Sequence, residues 1–290
     1  MRAGRADLTS VGSNGQSLAI RYPARVHSTL RQSATFLFLN TRQPPFTSLK
    51  ARQAINYAID RAQMLRLFGL APGQAAVTCQ ILPAGFPSHQ NYCPYTAGPK
   101  DGSWHGPDMG KALRLTKDSR ATNVPVTLWT FDGFADRAVG SYLVGLLKKL
   151  GYRASLHTVP VDLFFNAISN FRSKIQMGLV SWGADFPAAS TFFHPVLTCR
   201  SFYRDPTSTA NYAGFCDPHS DKLATQAQAA QFTDPGAARR LWGRVDRMVT
   251  DRAPWAPVLN EASTVFVSSR VGNYQESPVY GPLLAQIWVR

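Results

Sequence analysis

Few side chains in this sequence are placed to do chemistry, and two of them sit three residues apart. Trp182 closes the apolar run IQMGLVSW (175–182), and Asp185 follows in a turn ended by Pro187. A carboxylate just past a strand end can meet an ammonium group, while an indole beside it offers apolar wall or a cation–π face. The competing reading is plain structure, with Trp182 in the core and Asp185 capping the next turn. Trp129, near the end of the run VPVTLWTF (124–131), is a second candidate wall, although core packing is the commoner fate of such an aromatic.

Catalysis has less to draw on. No G-x-S-x-G, no H-E-x-x-H and no Gly-rich phosphate loop occurs. Glutamate appears only as Glu261 and Glu276, and His27, His89, His105, His157, His194 and His219 are isolated from one another. A triad could still assemble in space, but nothing in the spacing points to one. We therefore expect no enzyme, and assign no catalytic residue, metal or cofactor. The acids of DPHSDKLATQA (217–227) look functional, yet Asp217 reads better as a helix cap with Pro218 in the first turn.

The four cysteines fall into two close pairs in Pro/Gly/Asn-rich stretches, which suggests bridges Cys79–Cys93 and Cys199–Cys216. Closing a loop of ~15 residues in this way stabilises a fold by about 3 kcal/mol, through the entropy it removes from the unfolded state. Zinc is the rival reading, but there is no C-x-x-C, and His89 and His219 merely lie nearby. Paired disulfides imply an oxidising compartment.

Charged residues make up only 17% of the sequence, too few for a disordered protein, and no run approaches the ~18 apolar residues of a membrane span. Lys and Arg outnumber Asp and Glu by 31 to 17. The basic residues are spread without blocks and without a nucleic-acid motif, so a solvated basic surface facing an anionic membrane is favoured over nucleic acid.

The elements that must hold these residues follow a βα rhythm from residue 108. A helix near 108–118 precedes strand 124–131, helix 135–150 with Gly151 as its C-terminal cap, strand 152–159, helix 160–170 and strand 175–182. Helices are then expected at 189–197, 218–231 and 235–251, and strand-like pieces at 255–290. This order predicts a mixed or parallel sheet with helices on its faces, whose ligands bind outside the carboxyl ends of the strands. Residues 69–107 read as a long irregular loop pinned by the first bridge. Upstream, Phe36–Leu39 is a strand, Pro44 and Pro45 a turn, and Ala51, Ala54, Ile55, Ala58, Ile59, Ala62 and Leu65 one helical stripe.

The literal text of that upstream stretch, TFLFLNTRQPPFTSLKARQAINYAIDR (35–61), resembles the mid-sequence signature of the extracellular solute-binding proteins of ABC importers, family 5, which bind oligopeptides, dipeptides or nickel. TCQILPAGFP (78–87), WGADFP (182–187), FCDPHSDKLATQA (215–227), APWAPV (253–258) and RVGNYQESPVYGPLLAQIWVR (270–290) follow in that family's order. The resemblance covers nearly the whole sequence.

It implies a periplasmic-binding-protein-like α/β fold (type II, peptide-binding group), truncated at the N-terminus. Residues 1–32 would be a frayed remnant of the first lobe, 33–254 the second, ligand-binding lobe, and 255–290 a segment returning to the first. MRAGRADLT looks like the family's G-x-x-D segment from inside the first lobe, and no apolar run follows Met1, so the sequence shows no signal peptide.

The function implied is that of the substrate-binding component of an ABC transporter, a monomer closing around a peptide or similar small solute for a permease and its ATPase. It would work outside the cytoplasm, in the periplasm or on the outer face of the membrane, with any lipoprotein anchor carried elsewhere. In oligopeptide-binding members the acid of a matching W-x-A-D pairs with the peptide's α-amino group. That role passes to Asp185, with Trp182 as wall. Many relatives continue with a second Asp-Pro and an Asn where FPAASTFF stands here, which leaves the ligand class open. A ligand-sensing module of the same fold and a fragment without function are the other readings.

Overall fold

One strand of 13 residues, Trp255–Val267, organises the sheet, because most other strands are laid against one half of it or the other. The computed structural model describes residues 6–11, 15–70 and 73–290. From the N-terminus its main elements are β1 (Leu8–Ser10), α1 (Gly15–Arg21), β2 (Val26–Leu30), β3 (Ser33–Leu39), α2 (Leu49–Ala58) and α3 (Arg61–Leu67). Next come β4 (Ala75–Val77), α4 (Met109–Asp118), β5 (Pro125–Phe131), α5 (Phe134–Lys149), β6 (Arg153–Val159) and α6 (Val161–Ser169). The last are β7 (Met177–Gly183), α7 (Cys199–Tyr203), α8 (Pro218–Ala230), α9 (Pro235–Arg252) and the long β8 (Trp255–Val267).

The sheet is mixed. It runs β1-β8-β3-β7-β5-β6, with β2 and β4 also paired to β8. β5 is parallel to β6 and β7, whereas β3 is antiparallel to β7 and β8. Each strand feeds both faces because successive side chains alternate. On β5, Val126 and Leu128 face a core completed by Ile55 of α2, Ala112 of α4 and Val139, Leu143 and Leu147 of α5. On the other face Phe36, Phe38 and Val180 meet Phe164 and Ile168 of α6, Leu223 of α8, and Trp242 and Val249 of α9.

Three expectations need correcting. The stripe from Ala51 to Leu65 is two helices, since Ile59 is extended and the Asp60 carboxylate accepts from the Gln63 N–H at 2.9 Å, starting α3 afresh. The helix expected at 189–197 shrinks to a 3₁₀ turn, Ala189–Phe192, because Pro195 has no N–H to continue it. The described part of 1–32 is not frayed; β1 and β2 pair antiparallel with β8, a long-range ladder that leaves little local periodicity. Disulfides join Cys79 to Cys93 and Cys199 to Cys216.

Candidate functional site

β7 carries the site to the open end of the sheet. Met177–Val180 are buried between β3 and β5, but the strand outruns β5 and its last residues emerge, so that Ser181 and Gly183 are exposed. Trp182 is half-buried against the α6/α8/α9 core, and its indole N–H donates to the Thr191 carbonyl at 3.0 Å. Asp185, two residues past β7, is exposed. The Thr191 hydroxyl donates to Asp185 Oδ2 at 3.1 Å and accepts from the Asp185 N–H at 3.1 Å. Buried Thr191 thus fixes both residues of the pair read from the sequence.

Asp185 lines a cleft of about 710 Å³ between the 185–210 segment and α8. The other walls include His194, Arg200, Arg204, Asp221 and Gln228. Burial pushes the Asp221 carboxyl up and the His194 imidazole down, each disfavouring its charged form. Asp221 Oδ2 also accepts from the Cys199 N–H at 3.0 Å. Asp217 caps α8 by accepting from the His219 N–H at 2.9 Å, with Pro218 in the first turn. Sequence reasoning did not place Asp221 and His194 beside Asp185. The Cys199–Cys216 pairing was the available signal, since it draws the α7 and α8 segments together.

Trp129 lies apart. It sits level with Gly178 of β7, four residues back from Trp182 or ~13 Å along a strand. Its ring lies 4.1 Å from that of His157 and packs on the core, and it is not among the residues lining the Asp185 cleft.

The residues of the 35–61 signature have a different duty. Arg52 donates to the carbonyls of Phe46 and Arg252 at 2.7 and 2.8 Å, and Asn56 to that of Trp255 at 3.1 Å. Arg61, fully buried, donates to the carbonyls of Thr78, Pro257 and Asn56 at 3.0, 2.9 and 3.2 Å. With no carboxylate among these partners, burial pulls its guanidinium down to about 10. These residues stitch α2 and α3 to the first half of β8 and to the 78–93 loop. They hold the frame and do not line the Asp185 cleft.

The profile for "Bacterial extracellular solute-binding proteins, family 5 Middle" matches residues 1–204. The chain belongs to that family. Among curated relatives, this family 5 protein is 26% identical over 260 residues to "Probable di/tripeptide-binding protein 5" of Pseudomonas aeruginosa, a match covering 88% of its own length and 45% of that relative. It is 22% identical over 231 residues to the "Glutathione-binding protein GsiB" of Escherichia coli K12, covering 78% and 42%.

Solved structures share the fold. "Clavulanic acid biosynthesis oligopeptide binding protein 2" superposes with a TM-score of 0.88 at 21% identity, over 99% of the present protein and 53% of that one. The periplasmic binding protein DppA of Helicobacter pylori, in complex with the peptide STSA, superposes at 0.81 with 18% identity, over 99% and 53%. The 290 residues therefore span about half the length of these proteins.

Proposed function

We propose that this protein forms one side of a peptide-binding site in the substrate-binding component of an ABC importer, with Asp185 as anchor for the ligand's α-amino group and Trp182 as adjoining wall. The observation that supports this most is the double hold of Thr191 on Asp185 at the lip of the cleft. It orients an exposed carboxylate while leaving Oδ1 available. The name of the Pseudomonas relative and the peptide in the Helicobacter complex agree with this class of ligand. The reading needs no catalytic step.

In this proposal residues 33–254 are the ligand-binding lobe, and 1–32 with 255–290 belong to the other. β8 fits the part of a crossing strand, because its Trp255–Leu259 half pairs with β3 while Ala262–Val267 pair with β1 and β2. Closure around the ligand would present a shape that permease and ATPase subunits respond to, outside the cytoplasm, where both disulfides persist.

Titration of the 290-residue protein with trialanine and with N-acetyl-trialanine, followed by amide NMR shifts, tests the anchor. The free amine should bind weakly but better than the acetylated peptide, and equal response to both would refute it.

A further inference from the structure

α9, paired with α8 in a hairpin, presents a surface that contributes no residue to the Asp185 cleft. Trp242, Val245 and Val249 bury one side of α9 and fix its rotation. The opposite side is arginine: Arg240, Arg244 and Arg247 recur at i, i+4 and i+7 over ~10 Å of helix, with Arg239 beside them, and all four are exposed. Arg239, Arg240 and Arg244 have no ion pair among the described residues, and Arg247 lies over the Tyr92 ring at 5.0 Å. The two acids at the ends of this face have partners. Asp234 accepts from the Ala237 N–H at 2.9 Å, and Asp251 accepts from the Tyr92 hydroxyl at 2.5 Å. On α8 the exposed Gln226 and Ala229 carry no charge, and the exposed Lys222 adds a further cation.

At the tip of the same hairpin, in the turn between α8 and α9, Phe232 is 84% exposed. A phenylalanine left almost wholly in water makes no sense as core. At the end of α9 that carries Arg239 and Arg240 it has a defined use, because a ring can enter the headgroup layer while guanidinium groups pair with phosphates. An acidic protein face would satisfy the arginines alone and leave the ring unexplained.

We propose that the α8/α9 hairpin docks on an anionic phospholipid bilayer, with Arg239, Arg240, Arg244 and Arg247 against lipid phosphates and Phe232 inserted at the interface. Such contact would hold the protein near its membrane through residues that do not line the Asp185 cleft, and it does not depend on what the cleft binds. The attraction is electrostatic, so salt weakens it.

Co-sedimentation of the 290-residue protein with vesicles of phosphatidylcholine alone, and of phosphatidylcholine with phosphatidylglycerol, tests this. Binding should need phosphatidylglycerol and weaken at physiological salt. The triple variant R240Q/R244Q/R247Q should lose well over tenfold, at roughly fivefold per cation. F232S should lose about tenfold. The overall positive charge is controlled by K117Q/K148Q/K149Q, which removes three exposed cations elsewhere and should bind as the parent does. Circular dichroism confirms that each variant is folded. Equal losses in the two triple variants, or F232S binding like the parent, would overturn the proposal. Absence of binding to any vesicle would also overturn it, and would redirect the arginine face to an acidic protein partner.

Discussion

Thr191 holds Asp185 at two points, its hydroxyl donating to Oδ2 and accepting from the backbone N–H, both at 3.1 Å. The sharp turn out of β7 is pinned by a residue only 1% exposed, so the carboxylate does not swing freely. Thr191→Val keeps the shape and removes both bonds. It should cost about 0.5–1.5 kcal/mol in urea unfolding and weaken free-amine peptides severalfold by NMR titration. Unchanged affinity would mean that the orientation of Asp185 is irrelevant.

Arg61 should matter more to the fold than any residue of the cleft. Arg61→Met keeps the buried stem but abandons the carbonyls of Thr78 and Pro257, each costing about 1–3 kcal/mol when left unpaired and buried. Chemical denaturation should show a loss on the order of 3 kcal/mol. A change below ~1 kcal/mol would show that water replaces the guanidinium there, against its complete burial.

These two residues also show how much could be read in advance. The βα rhythm of 108–183 was legible because β5 alternates, β7 is a short continuous apolar run and the helices between carry apolar stripes, and α8 and α9 announced themselves by Asp-Pro starts. The literal signature at 35–61 pointed to the family, but its Arg52, Asn56 and Arg61 act on carbonyls far along the sequence, as with Pro257 nearly two hundred residues away. Local pattern cannot reveal such partners. The same holds for β1 and β2, whose pairing is with β8. At the site, Trp182 and Asp185 were visible from their spacing, whereas His194 and Asp221 reach the cleft only through tertiary packing of α7 against α8.

Both bridges should be present in protein made under oxidising conditions, and peptide mapping should find no free thiol. Replacing Cys199 and Cys216 together with serine should destabilise the fold by about 3 kcal/mol. The loss should also loosen α7 from α8, since the Cys199 N–H donates to Asp221 beside that bridge. A denaturation midpoint unchanged by the double replacement would contradict this.

Asp246 predicts a pH dependence. It is buried on α9 and accepts from the N–H groups of Ile81 and Leu82 at 3.0 and 3.2 Å, yet desolvation dominates and pushes its carboxyl up to about 7. A carboxyl raised on folding adds stability that is complete below its unfolded value near 4 and is lost as the pH climbs through about 7. Asp246→Asn keeps an acceptor and removes the ionisation. The variant should gain on the parent between about pH 4 and 7, by an amount on the order of a few kcal/mol, and the difference should level off above that. His89, on the loop that Asp246 holds, is pushed down by burial and works in the opposite sense, so only the difference between parent and variant isolates Asp246. A difference independent of pH would show that Asp246 stays ionised throughout.

The amine-anchor role of Asp185 is tested most directly by comparing free and N-acetylated trialanine on the parent protein and on Asp185→Asn at pH 7, where a peptide amine is mostly charged. Asp185 is exposed here, so the pair should be worth ~0.2–1 kcal/mol, up to about fivefold in affinity. Enclosed on all sides, the same loss would rise to about 2–5 kcal/mol. Trp182→Ala serves as the contrast, since it removes wall and should weaken both peptides alike. The expected result is that Asp185→Asn abolishes the preference for the free amine and leaves the acetylated peptide unaffected. If the preference survived in Asp185→Asn, the carboxylate would be no more than the cap of the turn after β7.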